Sequence, residues 1–185
     1  MADQPLYGPL GPSTAFDDGM SSRPPVPGTV PRGQLELDQP FFTGKADGQL
    51  VSEVPAAALT GTTMPELLTR GRERYNIFCS HCHGRVGGGI GGAAEYESLV
   101  GMVVQRGFPA PPTYHQERLR RAPIGHFFDV ITNGQGRMPP HGYMIEPHDR
   151  WAIAAYVRAL QLSQFAPTSE LAADDLARLG TGANN

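Results

Sequence analysis

Two stretches of the chain carry a helical period, and they lie far apart. Leu67, Gly71, Tyr75 and Phe78 recur at spacings of four and three, so a helix entered at Thr63-Met64-Pro65-Glu66 presents one apolar face. Thr63 suits the cap, Pro65 the first turn, and Glu66 the positive end of the helix dipole. Trp151, Ile153, Ala154, Tyr156, Val157 and Leu160 give a second helix, from about Pro147 to Leu162, a broader apolar face, with Asp149 in its first turn. Between the two, Pro123 opens a helix whose Phe127, Phe128, Val130 and Ile131 are core material, and Asn133-Gly134 closes it. A short helix is expected around Glu95–Gln105 and a frayed one near Ala172–Leu179. The predicted class is all-α.

Residues 1–64 have no such order. Pro24-Pro25-Val26-Pro27 and the breaks at Gly28, Gly33, Gly44 and Gly48 leave neither period 2 nor period 3.6. Ten of the chain's 18 prolines fall within residues 1–65, and a fully extended arm of this length reaches on the order of 200 Å. Composition alone reads as a disordered linker. Leu6, Tyr7, Phe16, Val26, Val30, Leu35, Leu37, Phe41 and Phe42 argue otherwise, because a solvated tether has little use for large apolar groups. The expected organisation is therefore an arm over 1–64 that lies on a partner or on its own domain, a helical domain over 65–163, and a polar tail over 164–185.

Charge changes this picture little. A net charge of −3 gives no basic field for nucleic acid or an anionic membrane. No run of 18 apolar residues exists, so no transmembrane span is expected.

Cysteine usage changes it decisively. Cys79 and Cys82 are the only two, and they stand in Cys79-Ser80-His81-Cys82-His83. C-x-x-C-H is the attachment signature of a c-type haem, in which two thiols form thioethers to the vinyl groups and the adjacent histidine ligates the iron. A redox dithiol would want a βαβ setting and a free thiolate. A structural zinc site would want a second Cys/His pair. Neither is written here. The following Gly84–Gly92 stretch formally contains G-x-G-x-x-G, but no strand precedes it and no acidic partner follows at βαβ distance. Backbone without Cβ beside a flat ring is the simpler reason for those glycines. Covalent haem attachment takes place outside the cytoplasmic membrane in bacteria; no basic and apolar leader opens the chain, so the expectation is that Met1 is not the translated start or that the chain is a processed or trimmed form.

An iron held by His83 has one axial position left. Met138 is the candidate, in the irregular Gly136-Arg137-Met138-Pro139-Pro140 loop where a thioether can be aimed without fitting a helical face. Met20, Met64, Met102 and Met144 read as packing residues. His115, His126, His141 and His148 are rivals, with His141 and Met144 the most serious because both lie just beyond the same loop. A His/His iron would sit at lower potential than a His/Met one.

Three features together resemble a class I cytochrome c: the Gly71, Tyr75, Cys79 spacing, the Ile153 and Tyr156-Val157 pattern of the last helix, and Met138-Pro139. A narrower set is similar to the monohaem cytochrome c subunit of Alternative Complex III. It comprises Arg74–Cys79, Gly101–Phe108, Phe127–Gly134, Asp149–Ile153 and the arm segment Ser22–Gly33. The resemblance implies a class I cytochrome c fold, one haem c bonded to Cys79 and Cys82, and axial ligation by His83 and Met138. It further implies a periplasm-facing subunit of a membrane quinol:electron-acceptor oxidoreductase, taking electrons from a multihaem partner and passing them to an oxidase or soluble carrier. Members of that family often carry a lipid-modified cysteine before the arm; none precedes Cys79 in this sequence. Rival readings are a haem enzyme or gas sensor with an open sixth position, and a subunit whose arm serves a mainly structural purpose.

Overall fold

The computed structural model describes residues 6–8, 10–30, 35–89, 106, 107, 109 and 111–181. The helix expected around Glu95–Gln105 lies outside them. The chain divides into two compact units, Met1–Leu37 and Asp38–Asn185.

In the second unit, in chain order, come α1 (Gln39–Thr43), strands β1 (Lys45–Ala46) and β2 (Gln49–Leu50), a 3-10 turn (Ala56–Leu59), α2 (Met64–Phe78), α3 (Ser80–His83), α4 (Glu117–Arg121), α5 (Ile124–Asn133), α6 (Pro147–Gln164), a second 3-10 turn (Thr168–Glu170) and α7 (Ala173–Thr181). The unit is helical with one addition that the sequence does not announce: β1 and β2 pair antiparallel, Lys45 opposite Leu50.

The main crossing is between α2 and α6. At its start the Glu66 carboxylate accepts from the backbone N–H and the hydroxyl of Thr63, each at 2.8 Å, which satisfies an orphan donor of the first turn. Leu67, Gly71 and Tyr75 are the buried positions of α2, four residues apart as the apolar face requires. Gly71 sits where the two backbones meet: a Cβ there would drive into the Ala152 carbonyl and lie 2.9 Å from the Tyr156 Cβ. The crossing is pinned at the surface by a two-pronged ion pair, Arg70 Nε to Asp149 Oδ1 at 2.7 Å and Nη2 to Oδ2 at 2.9 Å. Its shape fixes register as well as adding energy.

Trp151, on α6, is the centre of the core. Its ring is fully buried, stacks on Phe128 of α5 at 4.5 Å, and donates from Nε1 to the Phe41 carbonyl at 2.8 Å. Burying an apolar side chain of this size stabilises by about 1.5–3 kcal/mol. The bond to Phe41 shows where residues 38–64, read from sequence as part of the arm, actually lie. Phe41, Val51 and Val54 pack against the core, and the backbones of Val51 and Gly125 are hydrogen-bonded at 2.9 Å. This segment is thus a strap on the helical unit, built from elements too short to show a period.

The first unit is a small turn structure. Pro12 and Met20 form an isolated antiparallel bridge, Ser13 N–H donates to Gly19 O at 2.8 Å, and Arg23 lies 4.2 Å over the Phe16 ring while it pairs with Asp18 at 2.6 Å. Leu6, Tyr7, Leu10, Val26, Val30, Leu35 and Leu37 are each more than half exposed. Among the described residues, no helix is long and apolar enough to cross a membrane.

Candidate functional site

Helix α2 delivers Cys79 at its C-cap. The backbone bends there and resumes as the one-turn α3, whose His83 N–H and Cys82 N–H both donate to the Cys79 carbonyl, at 2.9 and 3.1 Å. One turn of chain therefore carries both thiols and the imidazole. Gly84 ends it with φ 74°, its N–H returning to Ser80 O.

The electrostatics of the three side chains agree with covalent attachment better than with thiol chemistry. Burial, and then the neighbouring Cys82, push the Cys79 thiol up to about 12, and burial also raises Cys82. Reactive redox cysteines have the opposite shift. Burial, then the charges of His81 and His141, bring His83 down to about 4. It is neutral across the physiological range, and its Nδ1 is buried with no hydrogen-bond partner among the described residues. A neutral imidazole of this kind is what an iron ligand has to be.

The wall opposite is one the sequence reading did not find. Tyr114 stacks on the His83 ring at 4.8 Å and 16° and meets Tyr75 and Phe127 edge-on. Its phenol is held protonated by burial, which raises it well above its ordinary value. The one signal that could have suggested it is an aromatic directly after the rigid Pro111-Pro112-Thr113 turn.

Three bonds fix the loop after the motif. Tyr75 Oη–H donates to Gly84 O at 2.7 Å, Tyr114 N–H to Gly87 O at 2.9 Å, and His115 Nε2–H to Val86 O at 2.8 Å. Gly87 and Gly89 both have φ near the left-handed region, at 70° and 60°, and a Cβ on Gly87 would press into the Tyr114 ring. The glycines are thus required by backbone conformation and by close approach. His115, a candidate ligand by sequence, is buried and clamps this loop instead.

Met138 closes a tight turn in which it and Gln135 exchange backbone hydrogen bonds at 3.0 and 3.1 Å, and its side chain is half-buried. His141 N–H donates to Ile131 O at 2.9 Å. Its Nδ1 is also buried without a partner among the described residues. Arg150, buried at the start of α6, donates to Ile145 O at 2.9 Å and to Thr132 Oγ1 at 2.6 Å, so the far end of the loop is fastened to both α5 and α6. His126 and His148 are half-buried. Met20, Met64 and Met144, read as packing residues, lie at the surface, about half exposed or less; Met102 lies outside the described residues.

The donor set fits a covalently held haem: two protonated thiols on one turn, a neutral imidazole with an orphaned ring nitrogen, and a glycine cradle beside them. Residues 66–157 match the family model for cytochrome c oxidase, cbb3-type, subunit III. The match supports a cytochrome c domain over this stretch, the kind of module in which covalently bound haem c serves electron transfer. No curated protein matches the chain.

Proposed function

We propose that this chain is the monohaem electron-carrying subunit of a membrane quinol-oxidising complex of the Alternative Complex III type. One haem c is bonded to Cys79 and Cys82, and His83 and Met138 are its axial ligands. The observation that carries the haem reading is the single turn that brings Cys79, Cys82 and a neutral, orphaned His83 together. When bound, the haem supplies one-electron chemistry at iron. The chain's part is to present two thiols for bonding, keep the His83 lone pair free of a proton, exclude water with Tyr75, Tyr114 and Phe127, and hold the glycine loop still. No residue acts as nucleophile or general base. Electrons enter from a multihaem subunit and leave to an oxidase or a soluble carrier, on the periplasmic side of the membrane.

Intact mass together with a visible spectrum tests this directly. The expected result is one haem's added mass and a six-coordinate spectrum. A mass equal to that of the bare chain, or of two haems, overturns the reading. The matching family is named for an oxidase subunit, so the complex in question has a rival, a terminal oxidase. The identity of the co-purifying subunits separates the two.

The arm completes the proposal. Its Met1–Leu37 portion exposes a row of large apolar side chains, a liability in water that contact with partner subunits would relieve. Proline-biased chain also loses less freedom on docking. Deleting residues 1–37 is expected to leave the spectrum and thermal midpoint of the cytochrome domain unchanged and to release the subunit from its complex. A truncated chain that co-purifies at full stoichiometry would show that the globular unit does the docking.

A further inference from the structure

Helix α6 carries a polar residue where its apolar face should continue. Ile153 and Val157 are buried at a spacing of four, and the next position in that series is Gln161, only 5% exposed. A buried side-chain amide is costly unless it is hydrogen-bonded. Here Nε2–H donates to the Tyr114 carbonyl at 2.8 Å, and Oε1 accepts from Arg158 Nη1 at 2.7 Å. A carbonyl cannot donate and a guanidinium cannot accept, so the amide cannot be turned over. Arg158 is held in its turn by the end of α4. Its Nη1 reaches Arg120 O at 3.1 Å and Leu119 O at 3.4 Å, Nη2 donates to Ala122 O, and the guanidinium lies 5.0 Å over the Phe127 ring.

The bond from Gln161 completes a grip on the main chain of Tyr114. On one side the Tyr114 N–H donates to Gly87 O at 2.9 Å; on the other its carbonyl is taken by Gln161. The neighbours are tied to the same glycine loop, Thr113 Oγ1–H to Gly87 O at 3.4 Å and His115 Nε2–H to Val86 O at 2.8 Å. With its backbone fixed on both sides, the Tyr114 ring has its direction set. It lies on His83 with centroids 4.8 Å apart and planes 16° apart, and Tyr75 and Phe127 close on it edge-on. A metal-binding imidazole is ordinarily oriented through a hydrogen bond from its second nitrogen. His83 Nδ1 has no such partner among the described residues. The stacked face of Tyr114 is the contact left to set the plane of the ring.

We propose that Gln161, oriented by Arg158, is a positioning residue for the haem site: it holds the Tyr114 main chain so that the Tyr114 ring fixes the plane of the His83 imidazole. This rests on the haem reading given above. Gln161 touches neither His83 nor the thiols in this scheme and acts only through Tyr114. It also explains why an amide stands on the core face of α6, where a leucine would otherwise bury more apolar surface. The plane of an axial imidazole decides which iron d orbitals it meets, so a change in that plane is read directly in the g values of low-spin ferric iron.

The test uses full-length holoprotein as wild type, Gln161→Leu, Tyr114→Leu, Tyr114→Phe and the Gln161→Leu/Tyr114→Leu double variant. Ferric electron paramagnetic resonance spectra and thermal melts are read for each. Tyr114→Leu is expected to shift the largest g value, and Gln161→Leu to shift it in the same direction. Tyr114→Phe, which keeps the ring, is expected to restore the wild-type g values. The double variant is expected to match Tyr114→Leu, because a residue that acts only through Tyr114 has nothing to add once the ring is gone. A Gln161→Leu protein that melts lower but keeps the wild-type g values overturns the proposal, since Gln161 would then only satisfy a buried carbonyl. So does a double variant shifted well beyond Tyr114→Leu, which would place the action of Gln161 elsewhere. Should Gln161→Leu fail to accumulate, Gln161→Met, of similar length and without the amide, serves with the same expected spectra. Failure of the haem reading looks different, since wild type itself would then lose its colour in acid–acetone extraction.

Discussion

Gly71→Val is expected to lower the stability of the cytochrome domain by at least about 3 kcal/mol, near the upper end for over-packed sites. The obstacle is backbone, not a flexible side chain. The Ala152 carbonyl occupies the space a Cβ would need, and the Tyr156 Cβ closes the other side. Neither can retreat cheaply, because the two-pronged Arg70–Asp149 pair holds α6 in register against α2, and the Trp151 indole ties α6 to α1 on its other side. Gly71→Ala meets the same carbonyl, so it too is expected to destabilise. The better helix propensity of alanine, worth about 1 kcal/mol, offsets only part of that. For a domain of this size the valine variant should melt about 6–12 °C lower, from roughly 2–4 °C per kcal/mol. Circular dichroism melts of the holoproteins read the shift. A valine variant that melts within a degree of wild type would mean that the helices do not meet at Gly71.

Removing both thiols should abolish covalent attachment altogether. Each thioether needs one of the two sulfurs, and Cys79 and Cys82 are the only cysteines in the chain. Wild type is expected to keep its colour through acid–acetone extraction. Cys79→Ala and Cys82→Ala should each retain one bond and some colour, and the double alanine variant none. Both thiols are partly covered, so the changes also remove small packing groups. For that reason the readout is extraction of denatured protein, which does not depend on folding. Pigment that resists extraction from the double variant would mean that the haem is held by some other bond.

How much of this was legible depends on element length. Helices α2, α5 and α6 were readable because each spans enough turns to repeat its apolar face, and because Pro65, Pro123, Gly134 and Pro147 mark their ends. Helix α6 runs two residues past Leu162, to Gln164, an end that periodicity does not fix. Residues 38–64 were opaque for the converse reason. Elements of five, two, two and four residues cannot display a period, and their cohesion comes from distant groups such as the Trp151 indole. At the site, the attachment turn was readable as a motif. Tyr114 was not, since a single aromatic after a proline turn has no pattern to betray that it stacks on His83. Nor could spacing tell that the ring nitrogen of His141 is buried while the Met138 turn stays half-open.

The loop from Gly84 to Gly89 has a consequence for speed. Moving an electron is slow when the surroundings must rearrange to suit the new charge, and fast when their dipoles are already fixed. Side chains are the parts that rearrange most readily, and this loop has few. What remains is peptide backbone, and three of its carbonyls are tied off from behind by a phenol, an amide and an imidazole. Those carbonyls cannot swing when a neighbouring charge appears or disappears. On the haem reading, a stretch that looks in sequence like the floppiest part of the domain is expected to add little reorganisation energy.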